Sequence, residues 1–280
     1  MKKIIPIILI FFILTTNIFC VNEEYEYYEE EEEENNGFDN LTEEDIKKLQ
    51  DMISKILPYL QSILNEFKNP KTNGEKFIYE VLDKISQIID LLAPLLDKDP
   101  QTFLDAFIQI NNKFTKYGDY FQLLIENINI DELIDAYFSF LTNDKIIQIY
   151  EILKDDIIYF LKKDLGEEGA IYCDIIDEIY PNIINLIKSD DVIEFLKKIL
   201  LISYYNGLGP DHFRKEYDVK VLGEEAKKIY NDKIKNNEDF KIIVSKITEK
   251  IPFISQSMID YYINYYIDSL VNNNKKEYEF

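Results

Sequence analysis

The sequence predicts an all-α protein, a multi-helix bundle of about nine to twelve amphipathic helices or an irregular helical array. Three observations lead there. Apolar residues recur at three- and four-residue steps in stretch after stretch, no run alternates with period two for long, and glycine is scarce at 8 of 280 residues. Pro, Gly and Asn fall between the periodic stretches, where chain punctuation belongs.

The first element is not part of that bundle. Lys2 and Lys3 make a positive start, Ile4 to Leu14 an apolar stretch of 11 residues, and Thr15 to Cys20 a more polar exit, the three-part layout of a secretory signal peptide. A bilayer span needs about 20 apolar residues, so the stretch is too short to remain as an anchor. The expectation is a 1–20 leader cleaved after Ile18-Phe19-Cys20, a secreted, extracellular product, and no stable membrane insertion after cleavage. A competing reading makes Cys20 a lipidated cysteine, but Asn17, Ile18 and Phe19 do not resemble the small-residue motif that lipidation requires.

Residues 21–40 hold nine glutamates, Asp39 and three tyrosines, Tyr25, Tyr27 and Tyr28. Such a run repels itself and has no apolar face, so a disordered acidic leash is predicted. The tyrosines flanked by Glu are candidates for sulfation, against the simpler reading of an acidic spacer. Asn40-Leu41-Thr42 is an N-glycosylation sequon and makes Asn40 the glycosylation candidate.

Helices are predicted over 41–271, followed by a flexible tail over 272–280. Thr42 with Asp45 reads as a capping box, and Ile46, Leu49, Ile53, Ile56, Leu60, Ile63 and Phe67 then form one stripe. Pro58 lies off that stripe, which predicts a kink or break after Leu57. Phe77 to Leu96 carries the next face. Phe103, Phe107, Ile110 and Phe114 mark another, and Ile146, Ile149, Leu153, Ile157 and Phe160 a fourth. Later stretches are Ile171 to Ile187, Val192 to Ile202, Glu224 to Ile234, Phe240 to Ile247 and Gln256 to Val271. Breaks are expected at Asn69-Pro70, Asp99-Pro100, Gly118, Gly166 to Gly169, Asn206 to Pro210 and Asn236-Asn237. The sequence leaves open whether the regions on either side of Asn206 to Asp211 are separate domains. Asp155 to Leu165 and Asp190 to Leu200 share eight of eleven residues at an offset of 35. A solenoid needs at least three such units, and two similar amphipathic helices written in a restricted alphabet explain the pair as well.

Charge and cysteine count narrow the function. Formal charge is −22; loss of Lys2 and Lys3 makes it −24, and the ten carboxylates of the leash leave −14 from Leu41 onward. Nucleic acid and anionic membrane surfaces both need clustered cations, so neither is expected as a partner. Cys173 is alone after cleavage, which excludes the disulfide-dense secreted scaffolds and reads as a small buried hydrophobe.

No catalytic residue, metal ligand set or cofactor is expected. There is no GxSxG, HExxH, phosphate-cradling loop or EF-hand spacing, and the lone His212 precludes a multi-histidine metal site. The segment Tyr204 to Arg214 holds the only His and the only Arg. That makes Arg214, helped by His212, the candidate partner for a ligand carboxylate, against the simpler reading of a turn with Arg214 on the surface.

Asn40-Leu41-Thr42-Glu43-Glu44-Asp45, followed by Leu49 and Ile53, resembles the opening of the nematode fatty-acid and retinol-binding proteins. Ile89-Asp90-Leu91-Leu92-Ala93-Pro94 leading to Phe103 is similar to a helix connection of that family. The resemblance covers roughly 50 residues and implies a secreted, cysteine-poor, wholly helical carrier; no ligand-binding residue is carried over from it. The sequence therefore points first to a non-enzymatic helical protein that binds a small apolar ligand such as a fatty acid or retinoid. The alternative is a secreted effector or surface interaction protein whose acidic tail engages a basic protein partner.

Overall fold

The computed structural model describes residues 41–114, 128–207, 218–251 and 253–272. Every regular element among them is helical, and the architecture is all-α. The order is α1 (Glu43–Phe67), α2 (Asn73–Leu92), a 3-10 turn (Ala93–Leu95), α3 (Pro100–Phe114), α4 (Ile130–Leu141), α5 (Asp144–Ile187), α6 (Asp190–Gly207), α7 (Val219–Asp232), a second 3-10 turn (Ile234–Asn236), α8 (Glu238–Lys250) and α9 (Gln256–Asn272).

Polar residues start these helices by local chemistry. At α1 the Thr42 hydroxyl accepts from the Asp45 N–H while the Asp45 carboxylate accepts from the Thr42 N–H at 2.8 Å, so the capping box is present. Thr72 caps α2, Asn129 α4, Asp218 α7 and Asn237 α8. The Asn69-Pro70, Asp99-Pro100 and Asn236-Asn237 breaks fall between helices or at a helix start.

Of the kink or break expected after Leu57 the break is absent, and one further helix is present. The α1 helix runs unbroken through Pro58, which is exposed and leaves the buried face intact; a proline on the solvent side loses one N–H bond without placing its ring in the core. The stretch Ile130–Leu141, absent from the sequence prediction, is a helix. Its Asn129 cap followed by Asp131 and Glu132 was the available signal.

The chain divides into two compact units that meet at Asp164/Leu165. There α5 is interrupted at Gly166, whose φ of 65° and ψ of −163° are not helical; glycine reaches that conformation without a Cβ penalty. The division falls well before the Asn206 to Asp211 segment, whose last residues, Leu208 to Asp211, lie outside the described residues. It also separates the two similar sequences, for Asp155 to Leu165 ends at this interruption while Asp190 to Leu200 opens α6.

In the first unit α1 packs on α2 and α3, and α2 on α4. Ile63, Leu92, Phe103, Leu133, Ile134, Ile146 and Ile149 are fully enclosed there. Gly74 lets α2 and α4 approach, since a Cβ at that position would stand 2.2 Å from the Glu132 carbonyl oxygen. In the second unit α6, α7 and α9 pack together around Val192, Tyr230 and Ile234. The later arm of α5 joins α8 through Ile175, Ile179 and Ile251.

Candidate functional site

The sequence candidates do not form a described site. Arg214, His212 and Asn40 lie outside the described residues. Cys173 is free and fully buried, as its apolar neighbours predict.

The most concentrated polar chemistry of the first unit is a seam between α1 and the first arm of α5. Asp45, in the first turn of α1, is completely enclosed. Its carboxylate accepts from the Thr42 hydroxyl at 2.7 Å, from the Tyr159 hydroxyl at 3.3 Å and from the Lys163 ammonium. One turn on, Lys48 lies 3.2 Å from Asp156 and 4.5 Å from the centre of the Tyr159 ring. Lys55 reaches the second Asp156 oxygen at 2.7 Å and Asp51 at the same distance. At the far end Glu66 pairs with Lys145 at 2.5 Å and accepts from Asn143 at 2.6 Å. Rising numbers on α1 meet falling numbers on α5, so the two helices run antiparallel along the seam.

Four of these groups are shifted by their surroundings. Burial pushes the Asp45 carboxyl up, but Lys163 and the two Thr42 donors outweigh it and hold its pKa below the usual aspartate value. Lys55 is raised by its bonds to Asp156 and Asp51. Glu66 is lowered by Lys145 and Asn143. The Tyr159 hydroxyl is pushed up by burial and by the neighbouring Asp45 charge. A carboxylate that is ionised and already accepting several bonds is a poor general acid and has little capacity left as a base.

The second unit repeats the chemistry with other residues. Tyr230, buried in the core, donates to Asp260 at 2.6 Å, and the same carboxylate takes Lys235 at 2.6 Å and the Gln256 amide at 2.8 Å. Burial raises Asp260, and Lys235, Tyr230 and Gln256 together bring it below its ordinary value. Tyr230 is driven well above a free phenol by burial and by Asp260.

No family model, curated protein or solved structure matches this chain. Its function is therefore argued from its own surfaces. Among the described residues no group of three or more His, Cys, Asp or Glu could hold a metal ion, and no helix is long and apolar enough to cross a membrane.

Leu91, Ile171, Tyr172, Val221 and Ile242 are exposed at separate places, while six further exposed large apolar side chains fall in one stretch. Phe253, Met258, Tyr261, Tyr262, Tyr265 and Tyr266 are all exposed, and all lie on α9 or just before it. The four tyrosines are 54 to 62% exposed, and the Tyr261 and Tyr265 rings stack at 6.0 Å with 17° between their planes. The buried partner of this face is Ile267, which with Val271 approaches Gly223 of α7. Sequence periodicity marked Gln256 to Val271 as amphipathic but did not distinguish this solvent-facing aromatic stripe; the doubled tyrosines one turn apart were the signal.

Proposed function

We propose that the protein is a secreted, non-enzymatic interaction protein that engages a basic partner. The observation that carries this reading is unbalanced charge. Asp and Glu number 53 against 31 Lys and Arg, and many of the lysines on the described helices are already tied to carboxylates of the same chain. Lys55 is held by Asp51 and Asp156, Lys198 by Glu194 and Glu225, and Lys246 and Lys250 both meet Glu178. What remains to act at a distance is net negative, a field that draws cationic partners and repels nucleic acid and anionic lipid.

The test is binding of fluorescent poly-lysine to the chain secreted from a eukaryotic host, across ionic strength, with and without residues 21–40. Binding that weakens steeply with salt and on removal of the leash is expected, because exposed charges are screened over about 8 Å at physiological ionic strength. Absence of binding at low ionic strength would overturn the reading. The apolar-ligand carrier is the second reading, favoured by the broad Ile, Leu and Phe faces of α1 to α4; it requires a chamber of at least about 300 Å³. A fatty-acid or retinoid mass that co-purifies in native mass spectrometry and leaves on denaturation would move the conclusion to it.

A further inference from the structure

We propose that the tyrosine face of α9 is the docking surface for an extended polypeptide segment carrying Lys or Arg at alternate positions. The inference rests on the basic-partner reading above and assigns that partner a seat. Six of the exposed large apolar side chains fall between Phe253 and Tyr266, and four are tyrosines. Isolated exposed apolar residues need no explanation, but a contiguous aromatic stripe marks an interaction site.

The chemistry of the stripe selects the partner. The α9 sequence QSMIDYYINYYIDSLVN contains no Lys, Arg or His and two aspartates. Asp260 is consumed internally by Tyr230, Lys235 and Gln256, and Asp268 is paired with Lys227 at 2.5 Å. The face itself is thus uncharged ring surface on a unit whose residues 165–280 hold 21 Asp and Glu against 15 Lys and Arg, a net charge of −6. A second copy would bring two such charges together. An anionic bilayer would find no cation on the helix, whereas interfacial helices carry Lys and Arg on their polar face. Cationic side chains gain both from the surrounding field and from the ring quadrupole, an attraction of about 0.5–1 kcal/mol per exposed pair. The molecule already uses this contact internally, where Lys48 sits over Tyr159.

Spacing supplies the register. Tyr261 and Tyr265 lie one turn apart, as do Tyr262 and Tyr266, a rise of about 6 Å along the axis. Alternate side chains of an extended strand repeat at about 6.6–6.8 Å. Successive cations of an Arg-x-Arg-x segment therefore meet successive tyrosine rows with little adjustment.

The experiment measures fluorescence anisotropy of a labelled (Arg-Ser)4 peptide, with (Glu-Ser)4 as control, on the secreted chain in 0.05 and 0.5 M NaCl. The variants are Tyr261→Ser/Tyr265→Ser, Tyr261→Phe/Tyr265→Phe, Tyr172→Ser as an exposed tyrosine elsewhere, and deletion of 21–40. The expected result is at least a tenfold loss in the Ser double variant, retention within twofold in the Phe variant and in Tyr172→Ser, and no binding of the acidic peptide. Because the substituted residues are at least half exposed, an unchanged circular dichroism spectrum is expected for each. If the Ser double variant binds within twofold of the unsubstituted chain while leash deletion abolishes binding, this inference falls and the basic-partner reading stands. If no arginine peptide binds at either salt concentration, both fall. A concentration-dependent dimer in sedimentation that the Ser variant dissolves would give the face to a second copy and overturn the proposal.

Discussion

Replacing Asp45 by alanine removes the group on which the start of α1 and the first arm of α5 converge. Three losses combine. Half of the capping box goes, since the Thr42 N–H loses its acceptor while the Thr42 hydroxyl still accepts from the residue-45 N–H; one such bond is worth about 0.5–1.5 kcal/mol. A negative charge leaves the first turn of a helix, worth about 0.3–1 kcal/mol. The Lys163 pair is broken, and removing one member of a fully buried pair costs about 3–5 kcal/mol. Lys163, however, is 39% exposed and its ammonium can return to water, so about 1–2 kcal/mol of that figure applies. The expected destabilisation is about 2–4 kcal/mol, a fall of about 1–2 M in the urea midpoint of the first unit followed by circular dichroism. A double-mutant cycle with Lys163→Met should return a coupling of about 1–2 kcal/mol. The pH dependence follows from the lowered pKa of Asp45. Its stabilisation is complete above the unfolded aspartate value of about 3.9 and is lost as pH falls through the lower folded value. Asp45→Asn should therefore flatten the acid limb of the stability profile below about pH 4. A loss under about 0.5 kcal/mol, or additive single variants, would refute the assignment of Asp45 as an anchor.

Gly74→Ala should destabilise by about 1–3 kcal/mol despite alanine's better helix propensity, because the new Cβ meets backbone of α4 rather than a movable side chain; an unchanged urea midpoint would show that α4 yields freely. Pro58→Ala should stabilise by about 1–3 kcal/mol, since it restores an N–H for the Ser54 carbonyl at an exposed mid-helix position. A loss of stability there would mean that the proline shapes α1. Tyr230→Phe should cost about 1–2 kcal/mol through the lost bond to a charged acceptor, and should raise the Asp260 pKa toward its ordinary value in carboxyl-detected NMR. An Asp260 titration that does not move would dismiss the tyrosine as a donor of consequence.

Local chemistry was legible in the sequence because it is written in neighbours. The α1 stripe, the Thr42 and Asp45 box and the burial of Cys173 all depend on residues within a turn or two, and the structure has each of them. Phe103 and Phe107, read as one face, are both buried and stack at 6.1 Å. What was not legible depends on separation along the chain. Asp45 was readable as a cap, but its second role needs Lys163, 118 residues away, and nothing in the KK pairs of this lysine-rich chain distinguishes that one. Gly166 stood in a glycine-marked break, yet only its backbone angles reveal that the chain divides there while helix continues on both sides. The tyrosine stripe escaped for the opposite reason. Periodicity identifies a face but not whether it looks inward, and tyrosine, with an apolar body and a polar tip, is at home on either side.

One buried carboxylate, Asp45, and one half-buried carboxylate, Asp260, show what the interior polar groups do. Asp45 and Asp260 sit in different units, yet each accepts from a tyrosine hydroxyl and a lysine ammonium, and each is held below its ordinary pKa. A carboxylate that serves as a general acid has to hold a proton near the working pH, which calls for the opposite perturbation. In these two the donors keep the charge in place, which is the behaviour of an anchor. At Asp45 removing a donor leaves a buried charge short of compensation, so that site resists change and fixes the register of its helix. The exposed tyrosines of α9 lie apart from these groups, and a partner seated on them would meet side chains that neither core encloses. The residues that hold the fold and those of the proposed docking face are thus different. Substitutions at Tyr261 and Tyr265 should accordingly change binding while leaving the urea midpoint within about 0.5 kcal/mol, the ordinary limit for surface positions.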